Sequence, residues 1–130
     1  MTGAARLSKV RGIRGATTAD SNDREAILDA TSELLEELVQ ANEVDTDDIA
    51  AVTFSATKDL DATFPAVAAR VHMGWTDVAM MCGHEMDVPG GQERCIRVMI
   101  LVNTDKRPDE LERIYLRDAA NLRARDGKQG

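Results

Sequence analysis

The run Cys95-Ile96-Arg97-Val98-Met99-Ile100-Leu101-Val102 restricts this chain more than any other stretch. Every side chain in it but one suits a buried strand, and the exception is Arg97. A guanidinium left unpaired in an apolar interior is strongly destabilising. Arg97 therefore faces solvent, meets a fixed carboxylate, or awaits an anionic ligand. A second arginine, Arg14, stands in a similar setting within Val10-Arg11-Gly12-Ile13-Arg14-Gly15-Ala16-Thr17-Thr18. Two arginines so placed point to a small pocket that holds negative charge.

The composition narrows the partners of such a pocket. A length of 130 residues fits one domain, read here as residues 1–130, with a loose extension over 1–8 and a mobile tail over 124–130. Hydrophobic residues make up 43% but aromatics only 3%, so aliphatic side chains and methionine must fill the core. A net charge of −7 and a pI near 4.8 argue against nucleic acid and against anionic membranes. Any anion site is then a local positive pocket in a negative molecule. Arginine outnumbers lysine, which favours forked, two-point grips on carboxylates, although a general compositional bias toward Arg and Ala explains the same count. The two cysteines, Cys82 and Cys95, form no Cys-x-x-Cys. No apolar stretch approaches the roughly 20 residues of a membrane span, and the N-terminus has no signal-peptide core. A cytoplasmic chain with reduced thiols is expected.

Periodicity lays out the elements. A strand fits residues 9–16, where Gly12 and Gly15 mark a bulge or a close approach. Asn22-Asp23-Arg24-Glu25 reads as a helix start with Asn22 as cap. That helix runs to about Asn42, with Ile27, Ala30, Thr31, Leu34, Leu35, Leu38 and Ala41 as its buried stripe. Residues 49–56 form a second strand, in which Val52 and Phe54 alternate with Thr53 and Ser55. Pro65 suits the first turn of a helix over about 64–73, closed by Gly74. Strands over 78–82 and about 93–103 follow, separated by the turn Val88-Pro89-Gly90-Gly91. Pro108-Asp109-Glu110 opens a last short helix through Tyr115 and Leu116. The order β-α-β-α-β-β-α indicates an α/β (α+β) sandwich, a mixed sheet with helices on one face. Strands this apolar need cover on the other face as well, and self-association into a homo-oligomer supplies it.

Several chemistries lack their motifs. There is no Gly-x-x-x-x-Gly-Lys-Ser/Thr, no dinucleotide fingerprint and no Gly-x-Ser-x-Gly. With His72 and His84 the only histidines, a His-rich metal site is not expected, and Cys82-Gly83-His84-Glu85 lacks the distant ligand pair of a zinc site. A Cys82–His84 nucleophile pair lacks an orienting third group. What remains is Arg14, Arg97, Glu85, Tyr115 and Cys82, which could converge at one end of the sheet if their strands are neighbours. An internal Arg97–Glu85 salt bridge is the plain alternative. Tyr115 is either a packing residue or a hydroxyl donor. Phe64 is either a wall of the site or a staple beside Pro65.

Four blocks in order resemble the monofunctional AroH-class chorismate mutases: residues 10–18, Phe64-Pro65-Ala66, Glu85-Met86-Asp87-Val88 with Gly90-Gly91, and Cys95-Ile96-Arg97-Val98-Met99. Tyr115-Leu116 and Leu122-Arg123 follow them, and the likeness spans about residues 10–124. The resemblance implies conversion of chorismate to prephenate without metal or other cofactor, in phenylalanine and tyrosine biosynthesis. It implies a homotrimeric pseudo-barrel with active sites between subunits. It assigns Arg97 to the breaking ether oxygen and a carboxylate, Arg14 and Tyr115 to carboxylate binding, and Glu85 and Cys82 to the ring hydroxyl. Phe64, Ala66 and Arg70 correspond to residues of the adjacent subunit, and Leu122 and Arg123 to a mobile segment that closes the site. Val67 and Met81 depart from a lysine and a threonine found in the family, and Asp118-Ala119-Ala120-Asn121 is less β-prone than expected there. Two readings compete: a non-catalytic trimeric carboxylate-binding module, and a scaffolding domain with a buried Arg97–Glu85 pair.

Overall fold

A computed structural model describes residues 7–122, so most of the expected extension, Arg123 and the expected tail lie outside the described residues. Among the described residues the main elements are β1 (Lys9–Thr18), α1 (Arg24–Asn42), β2 (Ile49–Ala56), α2 (Ala66–Val71), β3 (Met80–His84), β4 (Cys95–Thr104) and β5 (Ile114–Tyr115). They form one mixed sheet in the order β3-β2-β4-β1-β5. β4 lies antiparallel to both β1 and β2, whereas the outer pairs β2–β3 and β1–β5 are parallel.

The strong apolar alternation of the central strands decides the layering. Ile13, Val52, Phe54, Val98 and Ile100 point to one face and bury against Leu34, Leu35 and Leu38 of α1, with Ala66, Ala69 and Trp75 joining from α2 and the loop after it. Burial of side chains this size contributes about 1.5–3 kcal/mol each, and it fixes the strand register, since a slip of one residue would turn every side chain to the other face. The opposite face carries Arg14, Thr53, Ser55, Arg97, Met99 and Leu101, and much of it is open. Val10, Met81 and Leu101 are among its exposed apolar residues.

Sequence and structure part at several points. The cap of α1 is Asp23, whose carboxylate accepts from the Ala26 N–H at 2.8 Å. Asn22 instead bridges to the loop before α2, donating to Asp61 and accepting from the Asp61 and Ala62 N–H groups. Ala41 is exposed, and the buried residue at that end of α1 is Asn42. α2 is shorter than the expected 64–73, with Gly74 (φ 70°) closing it in the left-handed region. β3 begins two residues later than expected, and Glu85 lies just past its end. The largest correction concerns the last expected helix. Only Pro108–Glu110 winds, as a 3-10 turn, and Tyr115 belongs to β5.

Two features account for β5. The Asn42 side chain accepts from the Glu112 N–H at 2.7 Å and donates to the Glu112 carbonyl at 3.0 Å, pinning the chain before the strand. Gly15 then lets β5 approach: a Cβ there would stand 2.9 Å from the Ile114 carbonyl oxygen and 2.9 Å from Leu38 Cδ1. Of the two expectations for Gly12 and Gly15, a bulge or a close approach, β1 shows the second at Gly15, since its pairing with β4 runs without interruption.

Candidate active site

Cross-strand register assembles the site. Ser55 of β2 stands opposite Arg97 of β4, Arg97 opposite Ala16 of β1, and Ala16 opposite Tyr115 of β5. One residue pair further along, Thr53 faces Met99 and Met99 faces Arg14. Period-two alternation puts all of these on the open face. Arg14 and Arg97 are thus diagonal cross-strand neighbours, close enough for their long side chains to grip one small ligand.

A cavity of about 290 Å³ lies over this patch, lined by Arg14, Ala16, Thr53, Ser55, Glu85, Arg97, Val98, Met99, Tyr115 and Leu122 among others. Arg97 Nε sits 3.5 Å from Glu85 Oε2. The Ser55 hydroxyl donates to that same Glu85 oxygen. The Glu85 backbone N–H donates to the Ala56 carbonyl at 2.9 Å, so β2 holds this residue by main chain and side chain together. At the far end the site is walled by Ala119 and Leu122, which pack with Ala16, Cys95 and Tyr115. Residues 117–119 form a 3-10 turn, in keeping with the weak β-propensity of that segment.

The Arg97–Glu85 pair is therefore real, but it is not the buried pair of the scaffolding reading. The Arg97 side chain is 52% exposed within the chain. An ion pair so open to solvent adds little stability. It also occupies only Nε, which leaves both terminal nitrogens of the fork free of this partner and able to meet an anion.

The loop before β4 fixes where Arg97 starts. Thr57 and Cys95 exchange backbone and hydroxyl bonds, with Cys95 N–H to Thr57 Oγ1 at 2.9 Å and Thr57 N–H to the Cys95 carbonyl at 3.0 Å. Asp59 accepts from the Arg94 N–H at 2.9 Å and from the Thr57 hydroxyl. Desolvation pushes the Asp59 carboxyl up, but the bonds from Thr57 and Arg94 outweigh it and hold the group below its ordinary 3.8. Burial pushes the Cys95 thiol up, with the Arg97 guanidinium pulling weakly the other way, so Cys95 is a neutral packing residue.

The candidate residues fall into separate groups. Arg14, Glu85, Arg97, Tyr115 and Leu122 share the first cavity. Cys82 does not join them: its register with Phe54 turns it to the helix-bearing face. It lines a second cavity of about 480 Å³ with His84, Phe64 and Pro65. Glu85 is turned to the other cavity, so Cys82, His84 and Glu85 do not converge as ligands. Phe64 is 68% exposed. Ala66 is buried at the start of α2, Arg70 is exposed on it, and neither reaches the first cavity. Ser55 and Thr53 are site residues that the sequence reading did not single out. The available signal was their polarity on a strand whose other residues are apolar.

Comparison with known proteins gives concordant results. The family model described as chorismate mutase type I matches residues 10–126. The chain is 45% identical over 114 residues to Chorismate mutase AroH of Bacillus subtilis (strain 168), covering 88% of this chain and 90% of that protein. It is 45% identical over 115 residues to Chorismate mutase AroH of Thermus thermophilus, covering 88% of this chain and 93% of that one. Among solved structures it is similar to the chorismate mutase from Clostridium thermocellum, with a TM-score of 0.84 at 50% identity over 86% of this chain and 99% of the other.

Proposed function

The chain belongs to the chorismate mutase type I family, and on that premise we propose how its open sheet face performs the reaction. The protein is an isomerase of aromatic amino acid biosynthesis that converts chorismate to prephenate. The reaction breaks one C–O bond and forms one C–C bond within a single molecule. It needs no nucleophile and no proton transfer. The enzyme has two tasks: to hold a flexible dianion in a compact conformer, and to stabilise the negative charge that grows on the ether oxygen.

Arg14 and the terminal nitrogens of Arg97 hold the carboxylates, with the Tyr115 hydroxyl helping at that end. Arg97 also donates to the ether oxygen as the C–O bond stretches. A preorganised cation there favours the transition state over the ground state, and a fixed donor of this kind contributes about 3–4 kcal/mol. Glu85 accepts from the ring hydroxyl and orients it. Leu122 walls the cavity at the end of the described residues and helps to exclude water from it. The observation that carries this reading is the row Ser55–Arg97–Ala16–Tyr115, which sets Arg97 beside Glu85 and diagonal to Arg14 on one cavity wall.

The working unit in this reading is a homotrimer in the cytoplasm, with each site shared between neighbours. Two observations support shared sites. The open face exposes Val10, Met81 and Leu101, and Phe64 is exposed away from the first cavity. Phe64, Arg70 and Cys82, all exposed, are the side chains a chain contributes to its neighbour's site, and Ala66 packs behind them. The test is the loss of chorismate, followed by ultraviolet absorbance, with purified protein whose mass is measured in solution. The expected outcome is rapid consumption by a species of three 14.2 kDa chains. A monomer of full activity would overturn the shared site.

A further inference from the structure

We propose that Ser55 is a positioning residue for this reaction, acting through Glu85 on Arg97. The inference rests on the roles proposed above for Glu85 and Arg97, and it adds a group that decides which way they face. Three observations carry it. Ser55 stands directly across from Arg97 in the β2–β4 ladder. Its hydroxyl donates to Glu85 Oε2, the oxygen that also lies 3.5 Å from Arg97 Nε. And Glu85 and Arg97 stand in a partition between two cavities. They line the first, of about 290 Å³, and also a larger one of about 570 Å³ on their other side, whereas Ser55 lines only the first.

The partition gives the carboxylate a choice of direction. The larger cavity is bordered by Lys58, which is already paired with Asp87 at 2.7 Å, so that side offers the carboxylate space and solvent rather than an unpaired cation. A Glu85 side chain tethered only by its backbone can rotate toward it and draw Arg97 along. The Ser55 hydroxyl opposes this rotation. It holds Oε2 on the β2 side, which leaves Oε1 for the substrate hydroxyl and keeps the Arg97 fork over the first cavity. Ser55 touches no reacting atom in this scheme. It lowers the chance that the two groups which do are turned away when chorismate arrives.

The test is a mutant cycle. Ser55→Ala is expected to lower kcat by about tenfold, as for loss of a hydrogen bond to a charged group, with a smaller change in KM. Ser55→Thr, which retains the hydroxyl, is expected to recover most of that loss. In a Glu85→Ala background, Ser55→Ala should cost nothing further, because the partner is already gone. Wild-type kcat in Ser55→Ala beside an impaired Glu85→Ala overturns the role of Ser55 and leaves that of Glu85 standing. A Ser55→Ala loss that persists in full in the Glu85→Ala background overturns it as well, since the effect then bypasses the carboxylate. Wild-type kcat in Glu85→Ala removes the premise itself.

Discussion

Arg97 shows how an energetic anomaly becomes a functional assignment. An arginine among apolar strand residues demands an explanation, and its exposed pairing with Glu85 is too weak to supply one. Arg97→Lys keeps the charge but loses the planar fork, so kcat is expected to fall by a factor of roughly 10²–10³. Steady-state kinetics check this, and near-normal kcat would sink the assigned role. Asp59 makes a different prediction. Its carboxyl lies below 3.8 in the folded chain, so its stabilising effect is present at neutral pH and fades as pH falls through that lowered value. Asp59→Asn should therefore melt at a lower temperature than the parent at pH 7, with the gap closing in acid below about pH 3.8. A gap independent of pH would show that the carboxylate charge is not what ties the loop to Arg94. That Arg14, Arg97, Glu85 and Tyr115 belong together at one cavity was legible as an expectation, because charge in or beside strands, and a family pattern, marked them. Ser55 was not, because a serine alternating with apolar residues looks like an ordinary wet position until the register sets it beside Glu85.

At the level of elements, long periodic segments were readable and short ones were not. α1, β2 and β4 carry enough turns or alternations for burial to dominate local preference. β5 has two residues and no pattern of its own. Its strand character comes from tertiary contacts, namely the Asn42 clamp on Glu112 and the close approach that Gly15 permits. Gly15→Ala tests this dependence. The added methyl meets a backbone oxygen that cannot rotate away, so a loss of about 1–3 kcal/mol is expected, as for an overpacked core. Because β5 carries Tyr115, kcat/KM should fall as well. Chemical denaturation and kinetics together decide it, and a variant with parental stability would show that the sheet yields at this point. The error at Asn22 has a similar origin. Asn22 and Asp23 are both good caps, and the choice between them was made by the loop at Asp61, 39 residues away.

For the whole molecule, the separation of the candidate residues is the telling feature. One group gathers on the open face around Arg97, while Phe64 and Cys82 lie at another cavity and Arg70 at neither. If neighbours complete one another, two inactive variants can restore function together. Arg97→Lys and Arg70→Ala chains, unfolded and refolded as a mixture, should regain activity that neither shows alone, at about one site in four for random assortment in a cyclic trimer. A mixture no more active than its components would place the whole site within one chain. Self-association was legible as an expectation, from apolar strand residues such as Val10, Met81 and Leu101 on the face that the helices leave open. Its stoichiometry was not, because pattern shows which surface needs cover but not the symmetry that covers it.

The strand order has a consequence for how the protein comes into being. β1 is first in the chain, yet its only sheet neighbours are β4 and β5, the last two strands. A ribosome releasing this chain from its N-terminus exposes β1 long before either partner exists, and only the packing of α1 can shelter it meanwhile. Such distant pairings make folding slow relative to helical proteins of the same size. Arg14 rides on β1, Arg97 on β4 and Tyr115 on β5, so the residues proposed for the site come together only when the first strand pairs with the last two. In refolding, activity should be the last property to return.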